Sequence, residues 1–109
     1  MLQIVRYVDV ELVVIELNML EEVGETGIKI LVHLMNGRSK LSDFKKNLKM
    51  GYQGIYNAVA MLMKHGLITE YNEGKARYFE LTPLGKEVAQ KIWEAEQLMM
   101  AASKGAHKE

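Results

Sequence analysis

The sequence contains no cysteine, a single proline and no long hydrophobic run. The absence of cysteine excludes disulfide bonds, thiolate metal sites and cysteine nucleophiles, and it fits a reducing compartment. The apolar run 12–15 is flanked by Glu11 and Glu16 and is far shorter than the roughly 20 residues of a membrane-spanning helix. The chain does not open on a charged leader with an apolar stretch and a cleavage site. We therefore expect a cytoplasmic protein without a membrane partner.

An excess of charge of either sign is also missing, because 14 basic residues balance 14 acidic ones. This balance excludes a uniformly basic nucleic-acid-binding tail and an acidic disordered chain. The charges are nevertheless unevenly placed: two basic against six acidic residues in 1–37, nine against four in 38–86, and three against four in 87–109. The basic middle segment predicts a surface that faces an anionic partner, the alternative being surface charge distributed by chance.

A chain of 109 residues, of which 49% are hydrophobic, suits one domain with a single core. Apolar periodicity and capping residues predict a strand or an extended arm over 1–8, followed by helices over 9–22, 26–35, 42–50 and 52–65. Two strands over 67–71 and 76–81, joined by a tight turn at Gly74, precede a final helix that starts at Thr82-Pro83. The chain is thus divided into an N-terminal arm and helix (1–24), a central unit (25–82), a last helix (83–103) and a tail (104–109).

The central segment 41–68, LSDFKKNLKMGYQGIYNAVAMLMKHGLI, has the spacing of two helices joined by a short turn and followed by a hairpin. It resembles the winged helix-turn-helix domains of small transcription regulators. The later segment 81–86, Leu-Thr-Pro-Leu-Gly-Lys, is similar to the entry of the last helix in MarR- and PadR-like regulators. The resemblance covers roughly residues 25–90 and implies a mainly α fold with a small β-hairpin wing and extra N- and C-terminal helices.

The chain departs from this family's pattern at three places. Lys49 stands in the turn where many members have glycine, and Gly51 stands where a serine or threonine usually caps the recognition helix. The wing, residues 70–80, carries three glutamates against Lys75 and Arg77, so its net charge is negative.

The resemblance implies a sequence-specific regulator that binds double-stranded DNA with the helix 52–65 in the major groove. Gln53 and Asn57 are suited to adenine edges, and the two tyrosines to phosphates and thymine methyls. Basic side chains of the preceding helix and the wing would contact phosphates. The residues assigned to DNA binding are Ser42, Lys45, Lys46, Lys49, Tyr52, Gln53, Tyr56, Asn57, Lys64, Lys75 and Arg77.

The terminal helices are apolar over more than one stripe, which is typical of a helix that buries a second face against a partner. We therefore expect a twofold homodimer whose recognition helices lie about 34 Å apart. The residues assigned to the dimer interface are Val13, Leu17, Leu20, Ile92, Trp93, Met99 and Met100. The alternative is a monomer whose two ends pack on each other.

Two other functions stay open at this level. The fold could serve as a protein-interaction module without DNA binding, or the motif Gly51-Tyr52-Gln53-Gly54 could clamp RNA as in a KH domain. An enzyme is not expected, because His33, His65 and His107 lack partners at metal-ligand spacing and the sequence has neither a phosphate-binding loop nor a nucleophile elbow. We predict no catalytic residue, metal or cofactor, and no feature identifies a small-molecule effector.

Overall fold

The computed structural model describes the backbone of residues 3–8 and 11–107 and the side chains of residues 15–104. The elements are, in chain order, β1 Gln3–Val8, β2 Glu11–Glu16, α1 Asn18–His33, a 3-10 turn Leu34–Asn36, α2 Leu41–Leu48, α3 Tyr52–Lys64, β3 Ile68–Glu73, β4 Ala76–Leu81 and α4 Pro83–His107. The mainly helical fold with a small hairpin wing, expected from the sequence, is confirmed.

One hydrophobic core lies between α1, α2 and α3 and is closed by the β3–β4 hairpin. Its fully buried members include Ile30 and Leu31 of α1, Phe44 of α2 and Phe79 of β4. The rings of Phe44 and Phe79 lie 6.4 Å apart and connect the helices to the hairpin. The α3 positions predicted to face inward are all buried, namely Ile55, Ala58, Val59 and Leu62. The 3.6-residue periodicity of α3 therefore orients this helix in the domain.

The β3–β4 hairpin forms the wing, with Ile68 opposite Leu81 in an antiparallel register. Its turn contains Gly74 at φ 60°, the left-handed conformation that the tight-turn prediction requires. The backbone of Ser39, which precedes α2, adds two hydrogen bonds of 2.8 and 3.0 Å to Phe79. The wing is thereby tied to the start of the helix-turn-helix unit.

The Thr82-Pro83 start signal of α4 is confirmed. The backbone N–H of Gly85 donates to Thr82 Oγ1 at 2.9 Å, and the Thr82 hydroxyl donates to the Gly66 carbonyl at 2.6 Å. Gly85 packs so tightly on the backbone of Leu67, which immediately precedes β3, that a Cβ at position 85 would lie 1.8 Å from the Leu67 carbonyl oxygen. α4 also continues past the predicted end at residue 103, to His107, so the tail 104–109 begins as helix.

The N-terminal helix predicted over 9–22 is wrong for residues 11–16, which form β2 and pair with β1 in the register Val5 to Val14. The β-branched residues of this segment favour an extended backbone, and the preceding segment supplies a partner strand. The predicted arm 1–8 is therefore a strand over 3–8. Residues 9 and 10 lie outside the described residues, and the side chain of Val13 lies outside the described side chains.

Two helix starts also differ from the prediction. Gly24, at φ 72° and ψ 176°, is non-helical and divides α1 into two helical segments, which confirms the predicted interruption, but the second segment begins before Thr26. α2 begins one residue before Ser42, and its N-terminal capping bond runs from the Lys40 backbone N–H to Asp43 Oδ2 at 2.9 Å. A charged acceptor in the first turn replaces the hydroxyl that was expected to cap this helix.

Candidate nucleic-acid interface

α3 presents its outer side to solvent over its whole length. The side chains exposed on it are Tyr52, Gln53, Tyr56, Asn57, Ala60, Met63 and Lys64. The opposite side is buried in the core, so the helix is held rigidly while this face is left uncovered by the described part of the chain. The face predicted for base recognition is therefore accessible, and Tyr56 alone exposes 51% of its surface.

Contacts between neighbouring side chains on this face restrict their conformations. The rings of Tyr52 and Tyr56 stack with centroids 6.1 Å apart and an interplanar angle of 28°. Gln53 Nε2 donates to Asn57 Oδ1 at 3.1 Å. Such i, i+4 contacts reduce the rotamer freedom that binding would otherwise have to remove.

The lysines assigned to phosphate contacts lie beside the N-terminal end of α3. Lys45 and Lys46 are exposed on α2, and Lys45 Nζ is 5.1 Å from the centroid of the Tyr52 ring. Lys49, in the turn, adopts φ 52°, the left-handed conformation that favours glycine. Holding a lysine in this conformation costs roughly 1–2 kcal/mol. Ser42 is exposed in the first turn of α2.

The wing does not present both of its predicted cations. Arg77 forms a two-pronged ion pair with Glu70, with Nε and Nη2 each 3.0 Å from a carboxylate oxygen. The hydrogen bond from Arg77 holds the pKa of Glu70 below its ordinary value. Lys75 is exposed at the hairpin turn. Of the two wing cations, Lys75 is thus the one that extends into solvent without a carboxylate partner in the described part of the chain.

The sequence analysis missed a cation–aromatic cluster on the outer face of the wing. The Arg38 guanidinium lies 4.2 Å from the centroid of the Tyr71 ring, and Lys40 Nζ lies 5.5 Å from that of Tyr78. A hydrogen bond with Tyr71 raises the pKa of Arg38 above its ordinary value. The two tyrosines are cross-strand partners. The two tyrosines come together only when β3 and β4 pair in this register, which the sequence does not reveal. The signal that the sequence did carry was the basic composition of residues 38–86.

Gly51 to Gly54 do not form the loop that a KH domain requires. Gly51 is the N-terminal cap of α3, and Gly54 lies inside the first turn of that helix. The segment before α2 contributes a single bridge residue, Ser39, in place of a full strand. The KH interpretation is therefore wrong.

Among the residues assigned to the dimer interface, those with described side chains are exposed with one exception. Leu17, Leu20, Trp93, Met99 and Met100 are exposed, whereas Ile92 packs partly buried against the core. Leu98, which was not predicted, is the most exposed of the large apolar side chains of α4 at 72%. Every described residue of α4 from Trp93 to Lys104 is exposed, so the described chain leaves the distal half of this helix largely uncovered.

A cavity of about 700 Å³ opens between α1, the 3-10 turn, α2 and α4, with Trp93 at its rim. His33 borders it, with Nε2 3.1 Å from Asn47 Nδ2 and with Nδ1 buried and unpaired among the described residues.

His65 is 2.7 Å from a carboxylate oxygen of Glu22. Within residues 15–104, no three histidine or acidic side chains are placed to hold a metal ion. Across the described helices, none has both the length and the hydropathy needed to cross a membrane.

The three-helix core, the turn between α2 and α3 and the β3–β4 wing define a winged helix-turn-helix domain. No protein family's sequence profile and no curated protein matches the chain. Among solved structures it is similar to a mutant of Lactococcus lactis ZitR in its apo form, with a TM-score of 0.74 and 18% identity over 80% of this chain and 68% of that one. It is also similar to the adhesin competence repressor AdcR of Streptococcus pyogenes, with a TM-score of 0.71 and 21% identity over 79% of this chain and 66% of that one.

The transcriptional repressor BigR of Xylella fastidiosa superposes with a TM-score of 0.65 and 12% identity over 72% of this chain and 79% of that one. A ZitR mutant in complex with DNA aligns over 75% of this chain and 58% of its own, with a TM-score of 0.69 and 18% identity. The chain thus spans about two thirds or less of the ZitR and AdcR chains. At these identities the likeness confirms the winged helix-turn-helix fold that the sequence resemblance implied.

Proposed function

We propose that this chain is a sequence-specific transcriptional regulator that binds double-stranded DNA. The observation that carries the proposal is the exposed face of α3, where hydrogen-bonding amides and aromatic rings project from a helix anchored by a fully buried opposite face. A helix exposed in this way fits the major groove of B-DNA. The likeness to the repressors AdcR and BigR, and to a ZitR mutant solved in complex with DNA, supports the same conclusion.

In this proposal α3 enters the major groove and α2 lies across the DNA backbone. Lys45, Lys46 and Lys49 bind phosphates, which positions the protein without reading sequence. Gln53 and Asn57 then lie against base edges, where an amide can pair with adenine through both of its polar atoms. Lys64 and Lys75 extend the phosphate contacts to the far end of α3 and to the wing, and Ser42 adds a hydroxyl at the start of α2.

A salt titration of binding to random duplex DNA tests the proposal. If about five lysines each contact a phosphate, the logarithmic slope of affinity against salt is about −4.5, which amounts to several hundredfold between 50 and 200 mM salt. Competition with single-stranded RNA should not displace the duplex. An affinity that is independent of salt, or no affinity for duplex DNA at low salt, would contradict the proposal and favour a protein-interaction module.

We also propose that the regulator is a homodimer joined through its terminal helices. The distal half of α4 exposes Trp93, Leu98, Met99 and Met100, an apolar surface that is costly to leave in water. A second copy related by a twofold axis would cover it with the same surface. The dimer would then present two recognition helices about 34 Å apart to a pseudo-palindromic site.

The exchange Met100→Glu is expected to convert the dimer into a monomer. Met100 lies seven residues after Trp93 on the same stripe of α4, so a carboxylate there would be removed from water in the dimer, a cost that an i, i+4 pair with Lys104 offsets only in small part. Size-exclusion chromatography with light scattering should then give the 12.4 kDa chain mass and no longer twice that value. Ala102→Glu puts the same charge about 200° further around the helix, on the side opposite Met100, and should remain dimeric. Emission of Trp93, the single tryptophan, should shift to the red only in the first variant.

The exchange Glu70→Gln is expected to strengthen DNA binding by releasing Arg77 from its ion pair. A freed guanidinium would add one phosphate contact, so the salt slope should steepen by about 0.9. Glu73→Gln is the matched control, because it removes the same charge from the wing without releasing Arg77. A slope that is the same in both variants would show that Arg77 does not reach the DNA.

A further inference from the structure

We infer that α3 reads thymine methyl groups beside adenine edges, so that its target is a short run of A·T base pairs with the adenines on one strand. The inference rests on the proposed function and specifies which DNA that function selects. It follows from the way in which the exposed face of α3 is divided into two stripes of different chemistry.

The first stripe is apolar and exposed, which is unusual for the solvent side of a helix. It consists of Tyr52, Tyr56, Ala60 and Met63, at spacings of four, four and three residues, so these side chains form one line along the helix. Tyr56 exposes 51% of its surface and Met63 39%. In the major groove, the apolar group that a base pair offers to such a stripe is the C5-methyl group of thymine.

The second stripe is polar and runs alongside the first, with Gln53, Asn57 and Lys64. The hydrogen bond from Gln53 Nε2 to Asn57 Oδ1 leaves the Gln53 carbonyl oxygen as an acceptor and the Asn57 amide nitrogen as a donor. Adenine presents the complementary pair, its N6 amino donor and its N7 acceptor. Guanine presents two acceptors at these positions, so the Gln53 oxygen would lose its partner there.

The two stripes match the two halves of one base pair. Across the major groove of an A·T pair, the adenine N7 and N6 groups are followed by thymine O4 and then by the methyl group. The hydrogen bond of 3.1 Å holds the amides of Gln53 and Asn57 side by side, so the two together meet one adenine. The apolar stripe from Tyr52 to Met63 extends over about three helical turns, which is long enough to meet the methyl groups of neighbouring base pairs. Adenines read by the polar stripe would therefore place their thymines along the apolar stripe on the other strand.

The Lys45 side chain indicates how the apolar stripe meets the DNA. Its Nζ lies 5.1 Å from the Tyr52 ring centroid, and the Tyr52 ring stacks on that of Tyr56. The stripe thus starts beside a cation suited to phosphate and leads inward from the backbone to the base edges. Tyr56 is the residue held furthest from the lysine in this stack and is the one we assign to the methyl groups.

Replacement of thymine by uracil tests this inference directly, since it removes the C5-methyl groups and keeps the charge and the hydrogen-bonding pattern. A duplex selected by the protein from a random pool would be synthesised once with thymidine and once with deoxyuridine. We expect the uracil duplex to bind about fourfold more weakly for each methyl group contacted, with the same salt slope.

Two variants separate the methyl contact from other effects. Tyr56→Ala is expected to bind the two duplexes with equal affinity, within about twofold, because the ring that meets the methyl groups is gone. Lys45→Ala should weaken both duplexes alike and keep the ratio between them, since a phosphate contact does not depend on the base. Both side chains are exposed, and circular dichroism would verify that the variants are folded.

The outcomes distinguish this inference from the proposed function. Equal affinity of the protein for thymine and uracil duplexes, or selection of G·C-rich sites, would overturn the inference and leave DNA binding intact. A ratio that survives Tyr56→Ala would overturn the assignment to this stripe. No binding to either duplex at low salt would overturn the proposed function and the inference with it.

Discussion

Replacement of Lys45, Lys46 and Lys49 together by glutamate should abolish the retention of duplex DNA while the domain stays folded. Each lysine is exposed beside the N-terminal end of α3, and each charge-assisted contact with a phosphate contributes about 1.5–3 kcal/mol. Losing three such contacts and adding three repulsive charges corresponds to roughly a thousandfold or greater loss of affinity. Fluorescence anisotropy with a labelled random duplex at low salt would measure it.

The control for this experiment is a second triple variant with the same change of charge. Lys29, Lys86 and Lys91 are exposed on α1 and α4, away from the α2–α3 turn, and their exchange for glutamate should leave most of the affinity in place. The unfolding temperature of both variants should stay close to that of the parent protein, because exposed substitutions change stability little. DNA binding that survives the first triple exchange would favour a winged helix used for protein interaction.

The exchange Gly85→Ala is expected to destabilise the domain strongly although alanine is the better helix former. The new Cβ would lie 1.8 Å from the Leu67 carbonyl oxygen, so α4 would have to move away from the connection between α3 and β3. Overpacking of this kind costs about 3 kcal/mol, which lowers the unfolding temperature by on the order of 10 °C or more in a domain of this size. Thermal unfolding followed by circular dichroism would measure the change.

Gly54→Ala provides the matched control, since Gly54 is also helical. A Cβ at this position has no described atom within 4 Å, so the exchange should stabilise α3 by up to about 1 kcal/mol through helix propensity alone. If both exchanges shifted the unfolding temperature upward, the close approach of α4 to Leu67 would be refuted. The two glycine-to-alanine exchanges therefore distinguish the effect of close packing at Gly85 from the effect of helix propensity, which both share.

The sequence predicted the helix-turn-helix unit and the wing well because their signals are local. The apolar spacing of Ile55, Val59 and Leu62 determines which side of α3 is buried, whatever lies opposite. A left-handed glycine in the hairpin turn and a Thr-Pro start signal each depend on only a few neighbouring residues. These features set the order of elements from α2 to α4, and the boundaries in the structure differ from the predicted ones by a few residues.

The N-terminal segment was misjudged because its structure depends on a pairing partner. Residues 11–16 fit the apolar stripe of a helix, yet they pair with the strand 3–8, and their β-branched side chains tolerate that extended state better. The apolar spacing of these residues fits a helix, whereas pairing with β1 requires that they form a strand. Propensity alone does not decide such a competition, since the cross-strand hydrogen bonds belong to both segments together.

The sequence by itself determined the class of fold, the identity of the helix that faces solvent and the cations placed around it, because helical periodicity, capping and turn chemistry act over a few residues. The tertiary structure alone decided which of those cations are available. Strand register brings Arg77 onto Glu70 and Arg38 onto Tyr71, whereas Lys75 at the turn extends into solvent. Partners that are distant along the chain meet only after folding, so the charge that remains free for a ligand is a property of the folded molecule.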